Sequence, residues 1–418
     1  MLLRKRIIAP ILLCVVLLVL FFGQSALTYA RVAFTETPPG WPVILSEKQT
    51  LDQSLAAGVQ VSSQTLSTSN GSQHVSLLDL DLSNPNVNLG VVQANDQIFS
   101  RSETVSSMAN RTQAIAGING DFFEINTTGA PINMLAINGE MWQSPAPRSQ
   151  NANDLAVLGV DANKNLIIGH EQYNGTINVG TSSHALNAVN RYAFARSGGM
   201  LLATSRLGAM NVSGYTVALL KPINEARYTV TALETNLGTL AKLSDGQEAL
   251  IGGGESGQWL QANLQVGSEL EISQQITPDN DLQQAIGGGV QLIRDGEIPS
   301  SSELGNTTAA NPLTAVGITQ DGERAFLAVF DGREVGPDHS QGLTRQEMAG
   351  YLLSIGAYQA LLFDGGGSSE MVARLPGQES VSVINTPSDG RERRVANSLL
   401  VYADQQAQRS APSRYRQG

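Results

Sequence analysis

Short runs that alternate apolar and polar residues recur along this chain. The segment 74–82 (HVSLLDLDL) alternates in this way, which is typical of a half-buried strand. Residues 154–283 consist mainly of short β-like runs separated by Gly and Asn turns. Asn138-Gly139 lies between two apolar runs, and this dipeptide favours a two-residue hairpin turn. The pattern therefore predicts several strands and a β-rich insertion or subdomain over about 154–283.

Helical patterns are fewer. Residues 342–360 (GLTRQEMAGYLLSIGAYQA) contain the best one, with apolar side chains spaced along one face. Thr344 and Glu347 have the spacing of a capping box, in which each side chain accepts a backbone N–H of the other's residue. Residues 102–112 suit a shorter helix. We predict a helix in each segment. A strand that ends at Asp364 is predicted to follow the helix over 342–360.

The N-terminus reads as an export segment. Three basic residues precede an apolar run over 7–22, and small residues follow as far as Ala30. Sixteen residues are fewer than the roughly 20 that a spanning helix requires, although an uncleaved membrane anchor remains open. Either form places the body of the chain outside the cytoplasm. The predicted divisions are a signal peptide or anchor (1–30), a linker and domain entry (31–73), a main domain (74–403) and a disordered tail (404–418).

The composition argues against several kinds of functional site and against one class of partner. The only cysteine, Cys14, lies inside the apolar run, so the exported part has neither disulfides nor a thiol nucleophile. Four histidines without paired spacing disfavour a histidine-based zinc site. Without residues 1–30, 23 basic residues face 37 acidic ones, a net charge of −14. An acidic body without a basic block argues against nucleic acid as a partner.

The most distinctive segment is LLFDGGGSSEMV at 361–372. An apolar strand end is followed by Asp364, three glycines, two serines and Glu370. Consecutive glycines forfeit backbone order, so they are retained where the chain turns sharply or a ligand approaches closely. Backbone N–H groups and hydroxyls in such a turn form an anion-binding concavity. No lysine follows the glycines and the G-x-G-x-x-G spacing is absent, which excludes the common nucleotide-binding loops.

Six segments in this order resemble the phosphodiester glycosidase family, the domain of N-acetylglucosamine-1-phosphodiester α-N-acetylglucosaminidase and of bacterial exopolysaccharide-biosynthesis proteins. They are INGDFF, GGGVQLIRDGEI, VFDGR, the helix that starts with GLT, FDGGGSS and RRVANSLLVY. The resemblance covers about 74–403 and is weakest in the middle. It implies an α+β fold, with a mixed β-sheet core, flanking helices and the β-rich insertion. It also implies hydrolysis of the bond between a sugar's anomeric carbon and a phosphodiester.

The resemblance does not settle the catalytic residues, so we assign roles from chemistry. Glycoside hydrolysis commonly uses two carboxyl groups. Asp364 and Asp121 each end an apolar strand inside a Gly-rich turn, and Glu370 is the third candidate. The predicted substrate-binding residues are Asn119, Gly365, Gly366, Gly367, Ser368, Ser369, Arg394, Asn397, Arg148 and Arg333.

The predicted ligand is a glycan or a sugar phosphate, and no cofactor is required. A divalent cation held by Asp121 and Asp364 through oxygen ligands is an open alternative. A non-catalytic carbohydrate-binding or polysaccharide-assembly protein on the same fold is another.

One position departs from the family. Members usually carry Arg-Thr before the Ala-x-Gly strand, whereas this chain has Leu313-Thr314. If that arginine holds the phosphate, leucine cannot replace it. Three outcomes are open: Arg148, Arg333 or Arg394 takes over the phosphate, the substrate differs, or activity is reduced.

Overall fold

The computed structural model describes residues 40–147, 155–191, 195–279, 281–305, 308–336 and 339–404. These residues form 27 strands, numbered in chain order. They are β1 (Ile44–Ala56), β2 (Val59–Thr68), β3 (Gly71–Asp81), β4 (Asn88–Gln93), β5 (Ala116–Asn119), β6 (Leu135–Ile137), β7 (Glu140–Gln143), β8 (Val157–Val160), β9 (Leu166–Gly169), β10 (Gln172–Val179), β11 (Ser182–Leu186), β12 (Ala188–Val189), β13 (Met200–Ala203), β14 (Met210–Asn211), β15 (Thr216–Pro222), β16 (Arg227–Glu234), β17 (Thr239–Leu240), β18 (Glu248–Gly252), β19 (Glu269–Thr277), β20 (Gln284–Gly287), β21 (Gln291–Ile293), β22 (Leu313–Ile318), β23 (Arg324–Phe330), β24 (Gln359–Leu362), β25 (Met371–Ala373), β26 (Ser382–Val383) and β27 (Asn397–Tyr402).

Helices are short and few. Those described from end to end are α1 (Val105–Thr112), α2 (Gly254–Asn263), α3 (Ser301–Leu304) and α4 (Arg345–Ser354), with 3₁₀ turns at Ala94–Asp96 and Gly366–Ser368. Among the described residues, no helix has the length and apolar character needed to cross a membrane. The apolar run 7–22 lies outside the described residues.

The strands form five sheets. The largest have the orders β11-β10-β19-β16-β15-β18-β13-β12 and β1-β2-β3-β23-β22-β24-β21. Two five-stranded sheets have the orders β7-β6-β20-β8-β9 and β26-β25-β5-β27-β4, and β14 pairs with β17. The pairings are antiparallel except for β12 with β13.

The predicted α+β fold is therefore wrong. Strands dominate the described residues, and the sheet that carries β22 and β24 is antiparallel rather than mixed. Among the helices, α2 packs against β15 and β18, and α4 packs against β21 and β22. The family-derived expectation of flanking helices overestimated their share, because each helix described from end to end spans no more than ten residues.

Two local features predicted from the sequence, a capping box and a hairpin turn, are present in the structure. The capping box of Thr344 and Glu347 is present at the start of α4, which is shorter than the segment 342–360 that predicted it. Asn138-Gly139 joins β6 to β7, with both residues at positive φ as a two-residue hairpin turn requires. Residues 40–73, assigned from the sequence to a linker and domain entry, contain β1 and β2.

Three sheets bring their strand ends together at one place. β5 and β24 belong to different sheets, yet Asp364 N donates to Gly120 O at 3.0 Å. β20, from a third sheet, ends at Gly287, where a Cβ atom would collide with Asp121 Oδ2. Glycine is required at Gly287 because a Cβ there would overlap the side chains of Asp121 and Asn133. This junction carries most of the predicted site residues.

Candidate functional site

Asp121 lies at the end of β5 and is only 1% exposed. Its backbone N–H donates to Asn397 Oδ1 at 2.8 Å, and its Oδ2 accepts from Asn133 N at 2.7 Å. Its Oδ1 is buried without a hydrogen-bond partner. The pKa of Asp121 is raised to about 8: burial raises it most and the nearby Asp364 carboxylate adds to the rise, while the Asn133 N–H and Arg191 oppose it. Asp121 therefore holds a proton at neutral pH.

Asp364 follows β24, and its environment differs. Asp364 is partly exposed and lines a cavity of about 280 Å³. That cavity is lined by Phe122, Ala309, Asn311, Pro312, Leu313, Arg333, Leu343, Arg345, Leu362, Phe363, Asp364, Gly365, Gly366, Gly367 and Arg393. Asp364 is the only carboxyl group among these lining residues.

The two carboxyl groups titrate as an unequal pair. Burial raises the pKa of Asp364, while the Ser368 hydroxyl, the Gly365 N–H and the Arg393 charge lower it. Asp121 has weaker compensation and its pKa rises to about 8. The Asp364 carboxylate is itself one of the groups that raise the pKa of Asp121. Environments that separate the pKa values of two nearby acids assign one as the base and the other as the acid.

The glycine turn is not an open row of N–H donors. Four of the five backbone N–H groups from Gly365 to Ser369 already donate within the protein, to Asp364 Oδ1, Pro312 O and carbonyls of the turn itself. Ser368 and Ser369 are each 1% exposed and do not line the cavity. Most of the backbone N–H groups that were predicted to bind an anion therefore donate to acceptors within the protein instead. The glycines have a different function, which is to leave space.

Arginine side chains occupy that space. Arg393 lies so close to Gly367 that a Cβ there would collide with its guanidinium, and Arg333 Nη1 lies 3.2 Å from the Cβ position of Gly366. Arg345 completes the set of three that lines the cavity. Guanidinium groups suit phosphate because their fork of N–H donors is planar and permanently charged. The anion-binding character of this turn thus comes from arginine side chains.

The arginine predicted from the RVAN motif, Arg394, does not line the cavity, whereas its neighbour Arg393 does. Arg394 is exposed and does not line the cavity; its Nη1 donates to Ser102 O at 3.4 Å. Arg393 points to the cavity, where its Nη1 lies 3.4 Å from Ser368 Oγ and its Nε donates to Asp389 at 2.8 Å. Successive side chains of extended backbone point to opposite sides, so an error of one residue changes the face. Arg333 lies in the cavity as predicted, and Arg148 lies outside the described residues.

Three asparagines near the two aspartates form hydrogen bonds within the protein; two of them, Asn119 and Asn397, were predicted to bind substrate, and the third is Asn133. Asn119 is fully buried, donates to Asp364 O at 2.7 Å and accepts from Thr314 Oγ1 and Glu370 N. Asn133 donates to two backbone carbonyls and accepts from Ala146 N. Asn397 accepts from Asp121 N. In this structure they hold the two aspartate turns in place.

Glu370 does not line the cavity either. It is 2% exposed and faces Glu392, and burial together with that second carboxyl raises the pKa of Glu370 to about 9. Glu392 accepts from the Ser106 hydroxyl at the first turn of α1. This acid pair ties the segment before Arg393 to the strand after the glycine turn.

The sequence analysis missed Arg191. Its guanidinium donates to the backbone oxygens of Ile132, Asn133 and Ser144, and it is the positive charge that acts on Asp121. Burial lowers the pKa of Arg191 to about 10. No motif marked this residue, because its partners are backbone carbonyls 47 to 59 positions away. Leu313, in contrast, lines the cavity without adding charge.

Comparison with known families decides the class. Residues 236–402 match the model of the phosphodiester glycosidase family. The match assigns residues 236–402, less than half of the chain, to the phosphodiester glycosidase family. The matched range includes Asp364 and the three cavity arginines, whereas Asp121 precedes it. The uncharacterized SPbeta prophage-derived protein YomE of Bacillus subtilis is 32% identical over 116 residues, which cover 27% of this chain and 16% of that protein.

Three solved structures are similar to this chain. A hypothetical protein from Synechocystis has a TM-score of 0.67 and 20% identity, covering 83% of this chain and 62% of the other. A candidate exported protein from Burkholderia pseudomallei has a TM-score of 0.63 and 23% identity, covering 79% and 74%. Both share the fold. The catalytic domain of zebrafish N-acetylglucosamine-1-phosphodiester α-N-acetylglucosaminidase, auto-inhibited by its pro-peptide, has a TM-score of 0.45 and 14% identity, covering 86% and 89%.

Proposed function

We propose that this protein is an exported hydrolase that cleaves a glycosyl phosphodiester between the anomeric carbon and the phosphate oxygen. The observation that carries the proposal is the cavity in which Asp364 faces three arginines, inside a phosphodiester glycosidase domain. The arginines would hold the phosphate. The proposal of export is supported by the basic and apolar residues at 1–30 and by the Burkholderia neighbour that is named a candidate exported protein.

In this proposal Asp364 is the catalytic carboxylate. It would take a proton from a water molecule that attacks the anomeric carbon, while the glycosidic C–O bond breaks toward the phosphate. The phosphate leaves as a monoester, and as a good leaving group held by guanidinium groups it needs little help from a strong acid. Asp121 is the proposed neutral partner: while protonated, it adds no second negative charge beside the incoming phosphate.

The second candidate, a non-catalytic glycan-binding protein, is favoured by one observation. Leu313 stands where the family usually has arginine, and it lines the same cavity. The three arginines around that leucine favour the hydrolase instead, since positive charge is present without position 313.

Product analysis in H₂¹⁸O tests the proposal. The full-length protein would be incubated with the methyl diester of N-acetylglucosamine 1-phosphate, with and without a chelator. We expect free sugar that carries ¹⁸O at the anomeric position, together with methyl phosphate, and no effect of the chelator. Label in the phosphate would show P–O cleavage, and glycan binding without turnover would support the second candidate. Turnover that the chelator abolishes, with Asp364→Asn also inactive, would support a cation at Asp121 and Asp364.

A further inference from the structure

A second cluster of chemically active side chains lies outside the cavity. His74 is on β3, Asp331 follows β23 directly, and Glu334 lies three residues later. One donor atom from each side chain lies within 4.8 Å of the other two. β3 and β23 are paired, and Asp331 N donates to His74 O at 3.0 Å, so two of the three side chains are fixed by sheet backbone. None of the three lines the cavity.

The distances suit coordination. His74 Nδ1 lies 3.1 Å from Glu334 Oε2. Two ligands about 2.1 Å from one metal ion, at angles between 90° and 109°, are about 3.0 to 3.4 Å apart. A carboxylate oxygen of Asp331 lies within 4.8 Å of a ligand atom of each of the other two residues. An imidazole nitrogen with two carboxylate oxygens is a donor set for zinc and similar divalent transition ions, and three ligands leave a position for water.

Groups outside the cluster orient its carboxylates. Asn385 Nδ2 donates to Asp331 Oδ1 at 2.9 Å, and Thr386 N lies 3.0 Å from both carboxylate oxygens. Ser340 N donates to Glu334 Oε2 at 2.7 Å. Metal-binding carboxylates are commonly held by such outer partners, which fix the direction of their free lone pairs.

Within the cluster, His74 is the only side chain that can carry a positive charge. Among the described residues, neither Asp331 nor Glu334 forms an ion pair with a lysine or arginine. Arg333 lies between them in sequence, but its guanidinium donates to Asn311 Oδ1 at 2.7 Å and lies beside Gly366 in the cavity. Two partly buried carboxylates within 4.8 Å repel each other unless a cation or a proton lies between them.

We propose that His74, Asp331 and Glu334 bind one divalent transition-metal ion, with Zn²⁺ the best match to the donors. The ion would join β3, the end of β23 and the following loop. The sequence analysis disfavoured a histidine-based zinc site because the ligands are not close in sequence; His74 and Asp331 are 257 positions apart and meet only through sheet pairing. The proposal is independent of the proposed hydrolysis.

Zinc titration tests it. The full-length protein would be stripped with EDTA, dialysed and titrated with ZnCl₂ alone by isothermal calorimetry. We expect one equivalent bound, with at least tenfold weaker affinity in His74→Asn and in Glu334→Gln. Glu334→Gln retains an oxygen that can accept from Ser340 N, so loss of binding would not reflect loss of the loop's hydrogen bond. Thermal unfolding should show that Zn²⁺ raises the Tm of the wild-type protein and not that of Glu334→Gln.

Two controls separate this site from others. His184→Asn changes a histidine that stacks on Trp259, and Asp364→Asn changes the cavity carboxyl; both should bind Zn²⁺ as the wild type does. The proposal is overturned if the wild-type protein binds no Zn²⁺, if His74→Asn and Glu334→Gln bind it as tightly as the wild type, or if Asp364→Asn abolishes binding. None of these readouts requires turnover, so the failure of one proposal leaves the other testable.

Discussion

Two turns of this protein look alike in sequence and differ in the structure. Each follows an apolar strand, contains glycine and presents an aspartate: Asp121 after β5 and Asp364 after β24. Asp121 is 1% exposed and surrounded by hydrogen-bonding neighbours, whereas Asp364 lines a cavity of about 280 Å³. The cavity arginines surround only the second turn. The same motif therefore places Asp121 in a buried, hydrogen-bonded turn and Asp364 in the wall of the cavity.

In the proposed hydrolase, this difference would limit the negative charge beside the anionic substrate. Two ionised carboxylates at this junction would repel a phosphate. The pKa of Asp121 is raised to about 8, mainly by burial, so at neutral pH this carboxyl is mostly protonated and adds little negative charge beside Asp364. In physical terms, the amount of solvent and the number of cations around each carboxyl decide its role.

The largest expected effect distinguishes the two aspartates directly. Asp364→Asn should lower kcat/KM for the glycosyl phosphodiester about 1,000-fold, since general-base catalysis typically contributes 10² to 10⁴. Asp121→Asn should lower it less than about tenfold, because asparagine is neutral like the protonated acid and can still accept from Asn133 N. Steady-state kinetics on both variants measures the contrast. Equal losses in the two variants would mean that Asp121 donates a proton in the reaction, and matching Tm values would exclude misfolding as the cause.

A pair of adjacent arginines sharpens the comparison. Arg393→Gln should lower kcat/KM about 30-fold, or about 2 kcal/mol, the range for a hydrogen bond to a charged group. Arg394→Gln should change it less than twofold, because that side chain is exposed and outside the cavity. Each variant removes one positive charge, and the two positions are adjacent. The effect of the altered net charge is therefore the same in both variants. A similar loss in both would indicate long-range attraction in place of contact, and raising the ionic strength would then reduce it.

The sequence predicted local features of the fold more accurately than its class. Hairpin dipeptides and the capping box depend on neighbours within four residues, and both are confirmed. Sheet partners are not local: β3 pairs with β23 across about 250 positions. β1 lies at the edge of its sheet and is mostly exposed, so its polar composition resembled a linker. Edge strands bury too little apolar surface to show the usual pattern.

The site was predictable to the level of its turns and not to that of its contacts. Both aspartate turns were found from apolar runs that end in glycine. The sequence could not show that the Asn119 side chain forms hydrogen bonds with Asp364 O, Thr314 Oγ1 and Glu370 N, because those partners are up to 251 positions away. Nor could it choose Arg393 over Arg394, since that choice depends on which face of an extended segment meets the cavity.

The pH profile tests the charge on the buried aspartate. Below about pH 8 Asp121 is protonated and neutral; above it, ionisation adds a negative charge next to Asp364. We therefore expect kcat/KM of the wild-type protein to fall as the pH rises through about 8, and this alkaline limb to disappear or move up in Asp121→Asn. Glu370→Gln is the control, because the pKa of Glu370 is raised to about 9 but its side chain faces Glu392 outside the cavity. A limb near pH 8 that persists in Asp121→Asn would assign it to another group.

The smallest expected effect concerns the position where this chain departs from its family. Leu313 is 7% exposed and lines the cavity that already holds three arginines. Leu313→Arg would bring a fourth guanidinium close to these three, and mutual repulsion would offset part of the added attraction for phosphate. We expect kcat/KM to change less than about threefold, with Leu313→Met as the control for altered packing. A rise of tenfold or more would show that the cavity of the natural chain is short of positive charge, and that the Asp364 turn is tuned for a ligand other than a phosphodiester.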